Sequence, residues 1–381
     1  MLGLKPFSKL PLFATCFVVI LALLLAPGCG GGGGGGSGSA IPPEGECGPR
    51  DGCWFLCFEE YGANPVYDPG SKAYYPCILY DPDAFGNNIG DFIDSAGSDT
   101  YSVKPHYKMW VGDGIHTDFA YSGDGINWVV PSNIQDIIPG YHAFVLYDSG
   151  GFGDPIAGPM YKLWVWDVAQ TMRYYDSDNG VDWTADTNGD ITNTLFSGSA
   201  PVYSVFILYE GGTYTAWADN NGIYYYTTSN DGMNWNAGLE IVHTHNGGDL
   251  FYTNGSLSVV KKSDGAYEMW YSSSLDGFSD LRPRCNKGIS YAESSDGITW
   301  DLIDDIPCMG RTNAILKTTD GAAWRAGDDT TGYTYTPSVI FDENKFFSNG
   351  DFHGEERHYK MWFTGGTSGS NRRIGYLSFN E

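Results

Sequence analysis

Apolar residues in this chain come in short runs that break every six to nine residues at Gly, Asp or Asn, and no stretch places them at the 3.6-residue spacing of a helix face. Five of these runs share a form: PCILYD (76–81), HAFVLYD (142–148), YSVFILYE (203–210), SLSVVKKSD (256–264) and TPSVIFD (336–342). Each precedes a second run that ends in Trp: YKMW (107–110), YKLW (161–164), YTAW (214–217), YEMW (267–270) and YKMW (359–362). After four of them comes a third run closing in Asp/Asn-Gly-x-x-Trp, as in YSGDGINW (121–128), YDSDNGVDW (175–183), TSNDGMNW (228–235) and ESSDGITW (293–300). In the fifth copy, IGYLSFNE (374–381), no closing element follows.

The second-run tryptophans lie 54, 53, 53 and 92 residues apart, so the period is that of a propeller blade. Each unit holds three strands and room for a fourth after the closing Trp. A single four-stranded sheet leaves both faces open, whereas five sheets around an axis cover one another. The pattern therefore predicts an all-β protein, a five-bladed β-propeller with four-stranded antiparallel blades over approximately 74–130, 140–190, 200–240, 253–303 and 335–381. Blade five needs an outer strand, and segment 44–66, through Trp54-Phe55-Leu56-Cys57-Phe58, is predicted to supply it and close the ring. Blade four carries an insertion at 275–287, and a second precedes blade five at 308–332.

Composition narrows the picture further. The 52 Gly and 59 aromatic residues have no three-residue period, which excludes collagen, and so many aromatics exclude disorder. Acidic residues outnumber basic ones 46 to 21, a formal charge of −25. Nucleic acid is thereby excluded as an expected partner, because no basic patch can neutralise its phosphates.

The first 28 residues read as an export signal: Lys5 and Lys9, an apolar run from Phe13 to Leu25 too short to span a bilayer, then Ala26-Pro27-Gly28. Cys29 follows these small residues, and the site resembles the bacterial lipobox, which implies lipid attachment at Cys29 after cleavage. Residues 29–43, rich in Gly, form a flexible tether, and 44–381 a single domain. Gly30 after the lipidated position implies, by the same resemblance, sorting to the outer membrane or cell surface. Loss of the two lysines leaves a charge of −27, so anionic lipid repels the body and the membrane contact rests on the lipid anchor alone. Six cysteines remain in the body, an even number that suggests disulfides: Cys285 with Cys308, and two local bridges among Cys47, Cys53, Cys57 and Cys77. No CxxC pair or nearby His supports zinc.

The recurring Tyr-x-Met-Trp and Asp-Gly-x-x-Trp elements resemble those of the five-bladed furanosidase-like propellers, the clan of arabinanases, levansucrases and invertases, over residues 60–381. That resemblance implies a carbohydrate ligand and, in the family, carboxylates at the starts of the inner strands of blades one to three, which act as acid and base on a glycosidic bond. Here those positions read Tyr75-Pro76, Tyr141-His142 and Ser199-Ala200-Pro201, with no carboxylate. A second acidic set lies in the turns after the second strands, on the same face: Asp113, Asp167 and Asp219 are the candidate catalytic residues, with His116 and His142 near them. Tyr75, Tyr335, His142 and His116 are candidate sugar-binding groups. Asp186, Asn188 and Asp190 alternate like the start of a calcium loop but lack its later Gly and bidentate Glu, so a solvated turn is the expected reading, with Ca²⁺ the alternative, and no other cofactor is expected. Three functions remain open at this stage: a tethered carbohydrate-binding propeller without the usual triad, a glycoside hydrolase with relocated carboxylates, and an envelope scaffold or adhesion module.

Overall fold

The computed structural model describes residues 59–166, 172–185, 204–220, 223–243, 256–273, 288–303, 316–317, 333–346, 357–368 and 371–379. These form five antiparallel blades whose inner strands meet in a closed ring, blade five against blade one. Blade one is Tyr74–Tyr80, Tyr107–Gly112, His116–Ser122 and Trp128–Val129. Blade two is His142–Tyr147, Tyr161–Trp166, Met172–Ser177 and Thr184–Ala185. Blade three is Ser204–Glu210, Thr213–Asn220, Ile223–Ser229 and Leu239–Glu240.

Blade four is Leu257–Lys261, Tyr267–Ser273, Gly288–Ser294 and Thr299–Ile303. Two short pieces extend it: Val242–His243 runs parallel to Thr299–Ile303, and Leu316–Lys317 pairs with the start of Gly288–Ser294. Blade five is Tyr333–Phe346, Arg357–Ser368 and Asn371–Phe379. Its fourth strand comes from the other end of the chain, with Glu59 opposite Ser378 and Glu60 opposite Leu377. The predicted closing residues 54–58 lie outside the described residues. Among the described residues no helix is long and apolar enough to cross a membrane.

The sequence elements explain how the blades lock together. The second-strand Trp of one blade points at the closing turn of the next: Trp110 Nε1 donates to the Gly180 carbonyl, Trp164 to Gly232, Trp217 to Gly297 and Trp362 to Gly125, all at 2.7 to 2.8 Å. Only glycine fits that turn. Gly232 has φ +79, and a Cβ there would meet Trp164 Cζ2 at 2.8 Å. The Asp of the box serves the turn itself: Asp231 Oδ1 accepts the Met233 and Asn234 amides at 2.8 and 2.7 Å. Trp270 of blade four has no such acceptor, and its buried Nε1 lacks a hydrogen-bond partner. No closing turn follows the third strand of blade five among the described residues.

One expectation is corrected. Cys77 is a free, buried thiol and not half of an N-terminal bridge. Its Sγ accepts the Val145 amide at 3.2 Å across the blade one to blade two junction, and burial pushes the thiol up to about 12. It belongs to the buried cluster between blades one and two, with Trp110, Val145 and Leu163. Cys29, Cys285 and Cys308 lie outside the described residues.

Candidate functional site

Two inner strands begin with the same irregularity. In blade one Tyr74 pairs with Gly112 and Cys77 with Trp110, so Tyr75 and Pro76 together face one residue. In blade five Tyr335 pairs with Thr364 and Ser338 with Trp362, so Thr336 and Pro337 do likewise. Such a bulge turns the strand and re-aims its side chains. Tyr75 and Thr336 sit at φ +54 and +53, a left-handed conformation costly for residues with a Cβ. Side-chain oxygens hold the bulges in place: Thr364 Oγ1 accepts the Tyr75 amide at 3.3 Å, and Ser272 Oγ accepts the Thr336 amide at 2.8 Å.

The bulge brings Tyr75 over the axis. Its ring stacks on His142 of blade two with centroids 4.0 Å apart and planes at 25°. Tyr74 (5.0 Å), Tyr141 (6.0 Å) and Tyr335 (6.3 Å) stand around it. Beneath lies an axial cavity of about 30 Å³ lined by Tyr75, His142, Phe144, Phe206, Ser256 and Ser338, among others. Phe144 and Phe206, with centroids 5.0 Å apart, narrow it from one side. That volume holds about two waters and is too small for a larger ligand to enter.

The mouth carries charge on one side. Arg372, at the start of the third strand of blade five, lays its guanidinium over Tyr74 at 4.9 Å and over Tyr335 at 5.5 Å. Its carbonyl accepts the Ala73 amide at 2.9 Å, which fixes it beside the Tyr74-Tyr75 bulge. Burial drives the Tyr75 hydroxyl well above the ordinary tyrosine range, and Tyr141, Tyr74 and Asp219 add to this while Arg372 opposes it. Tyr74 is raised for the same first reason.

No protein-family model matches the sequence, and no curated protein matches it. Solved structures do match. An N-acetylgalactosamine deacetylase from F. plautii, in complex with blood group B trisaccharide, is 14% identical with a TM-score of 0.52 over 85% of this chain and 93% of that one. The Bacteroides ovatus Xyloglucan PUL GH43B is 10% identical with a TM-score of 0.50 over 83% of this chain and 53% of that one. The fold shared with these structures is a five-bladed β-propeller. Identities this low establish the architecture of such a propeller and nothing about its chemistry.

On this propeller the predicted residues fall into two groups. Tyr75, His142 and Tyr335 converge on the mouth. Asp113 lies in the turn after the second strand of blade one and His116 opens the third, and Asp113 Oδ1 accepts the Ile115 and His116 amides at 2.7 Å each. His116 Nδ1 is 3.2 Å from Asp136 and 3.8 Å from Asp113, so these three form a small polar cluster beside the aromatic group. Asp219 does not match Asp113 in register. It lies within the strand opposite Ser204 and is fully buried, whereas Asp113 lies beyond the Tyr74 to Gly112 pair, in the turn. Asp167, Asp186, Asn188 and Asp190 lie outside the described residues. Sequence reasoning missed Tyr74 and Arg372. Tyr74 had a signal in its place beside the Tyr75-Pro76 pair, but Arg372 had none, because one of its ring partners, Tyr74, is 298 residues away and the other, Tyr335, is 37 residues away on a different strand.

Proposed function

We propose that this chain is a lipid-anchored propeller of the bacterial cell envelope that binds carbohydrate at the mouth of its axial cavity. The observation that carries the reading is Tyr75, held in a left-handed bulge so that its ring stacks on His142 beside Tyr74, Tyr141 and Tyr335. Sugar rings present flat C–H faces that aromatic groups cover well, and strained aromatic residues at a cavity mouth are a mark of ligand sites. The F. plautii structure of the same fold, which holds a trisaccharide, agrees with this reading. The positions where the family resemblance puts acid and base hold Tyr75, Tyr141 and His142, which favours binding over hydrolysis by the family's usual route. The anchor follows from Cys29 and the Gly-rich tether behind it.

The test is calorimetry of the full chain, purified in detergent, against a panel of oligosaccharides that includes arabinan and fructan fragments, with hydrolysis products assayed in parallel. Binding without turnover is expected, and Tyr75→Ala should weaken it by about tenfold, the loss of one stacked ring face. Turnover of any member would replace this reading with that of a hydrolase whose carboxylates have moved, Asp113, Asp167 and Asp219 being the first to mutate. No binding at all would leave the envelope scaffold. Metabolic labelling with a fatty acid, lost in Cys29→Ser, checks the anchor.

A further inference from the structure

Beside the aromatic mouth, blade one gathers metal-ligating groups from two separate segments. Asp113 and His116 flank the tight turn between its second and third strands, closed by the Asp113 amide on the His116 carbonyl at 3.1 Å. Asp136 comes from the connection to blade two, which is paired along the same third strand. There His116 faces Pro139, Thr117 faces Ile138, and the Gly140 amide donates to the Ile115 carbonyl at 2.8 Å. Asp118 accepts the Asp136 amide at 3.0 Å and so fixes that residue against the turn. Backbone bonds thus hold both segments in place.

The atoms these side chains offer suit a cation. One ligand atom each from Asp113, His116 and Asp136 lies within 4.8 Å of the other two. His116 Nδ1 is 3.2 Å from Asp136 and 3.8 Å from Asp113. Neighbouring ligands that each meet one ion at about 2.1 Å stand roughly 3 to 3.5 Å apart, so little movement is needed. Asp113 Oδ1 is committed to two backbone amides, which leaves Oδ2 toward His116. Asp118 faces the same three groups, so three carboxylates meet a single imidazole. A dication offsets that excess of negative charge.

Tyr74 is a second, independent sign of a ligand here. It is 7% exposed, and its hydroxyl has no hydrogen-bond partner among the described residues. That hydroxyl ends against the Asp113 to His116 turn, where a Cβ on Gly114 would lie 2.4 Å from it. A buried hydroxyl left without a partner is costly, and an oxygen bound to a cation beside the turn supplies one.

We propose that Asp113, His116 and Asp136 hold a divalent transition-metal ion, Zn²⁺ in the first instance, on the rim of the aromatic mouth. One imidazole nitrogen with two carboxylate oxygens is a donor set for such an ion, whereas Ca²⁺ and Mg²⁺ take oxygen alone. Three protein ligands leave a coordination position open to water or to a ligand oxygen. The site stands on the placement of these side chains and is independent of the carbohydrate reading.

The experiment is calorimetry of the full chain in detergent, stripped with a chelator and titrated with Zn²⁺, Mn²⁺ and Ca²⁺ in separate runs. Zn²⁺ should bind at this site more tightly than Mn²⁺, and at least about tenfold more tightly than Ca²⁺. Asp136→Asn and His116→Gln should each remove one equivalent of Zn²⁺ or weaken it by more than about tenfold. Ions bound elsewhere in the chain persist in both variants, so the difference between chains is what is read. The Asp136 side chain is 60% exposed, so Asp136→Asn keeps the fold, as its thermal transition checks, and it decides the matter if His116→Gln does not fold. Identical Zn²⁺ stoichiometry and affinity in the variants, or no Zn²⁺ bound by the unmodified chain, overturns the proposal and leaves His116 as the ion-pair partner of Asp136 alone. Tighter binding of Ca²⁺ than of Zn²⁺ at this site overturns the assignment to a transition metal.

Discussion

Lys108 shows how far a single side chain can depart from the pattern around it. In YKMW the alternation marks Lys as the outward, solvated position, yet Lys108 is 1% exposed. Its Nζ donates to Asn87 Oδ1 at 3.0 Å and to the Tyr161 hydroxyl of the next blade at 2.9 Å, under the rings of Phe85, Tyr101 and Tyr161. Lys360 of blade five repeats the device on the Tyr107 hydroxyl at 3.0 Å. The alternation rule assumes one solvated face, and a blade between two others has none. Burial lowers Lys108 to about 7, against a smaller opposing effect of Asp81. An unfolded chain keeps its lysines protonated to about pH 10.4, so above pH 7 the unfolded state holds a proton that the folded state has released. Stability therefore rises with pH from 7 to 9, with a slope of up to about 1.4 kcal/mol per unit, and is flat with respect to this group below 7. Urea unfolding at pH 7.0, 8.0 and 9.0 measures the slope. Lys108→Met should flatten it, and an unchanged slope in that variant would show that Lys108 does not titrate in this window.

At the scale of the element, the blade-to-blade bond from Trp to the Gly carbonyl gives a contrast that a repeat rarely offers. Trp164 and Trp217 are buried and bonded to Gly232 and Gly297, whereas Trp270 is as deeply buried and has no partner at Nε1. Replacement by Phe removes the same volume at all three, so the difference isolates the hydrogen bond. Trp164→Phe and Trp217→Phe should each cost about 1 kcal/mol more than Trp270→Phe, since a net hydrogen bond is worth that much and each Gly carbonyl retains a second donor, Trp235 or Trp300. Denaturant midpoints of the three variants decide it, and equal losses would mean that the bond carries no net stability. This element was legible because its three requirements, a Trp, a glycine at positive φ and an Asp to cap the turn, each leave a mark on the sequence. Cys77 was not. An even cysteine count says nothing about which thiols are packed between blades, and the register of the inner strands decides that.

For the whole molecule, what holds the ring closed also holds the candidate site, and both join distant parts of the chain. Tyr75, His142 and Arg372 come from blades one, two and five, so the number and order of blades could be read from the sequence while the convergence of these three could not. The bulges that aim Tyr75 depend on register, and a run of residues does not state its register. Closure is made by residues 59–67. Glu59 and Glu60 pair with Ser378 and Leu377, Asn64 exchanges hydrogen bonds with the backbone of Tyr376 at 2.9 and 2.8 Å, and the Val66 amide donates to the Ile374 carbonyl at 2.9 Å. Tyr67 is buried against the same strand, with Tyr61 and Val66 packed beside it. A chain that begins at Asp68 loses these contacts but keeps all five inner strands. At about 1.5 to 3 kcal/mol for each large apolar side chain fully buried, three partly to fully buried ones amount to roughly 5 kcal/mol. In a domain of this size that lowers the melting temperature by on the order of 10 °C relative to a chain beginning at Ala40. The third strand of blade five would then be an open edge. Scanning calorimetry of the two chains checks the difference in melting temperature. An unchanged melting temperature would mean that residues 59–67 are not what closes the ring.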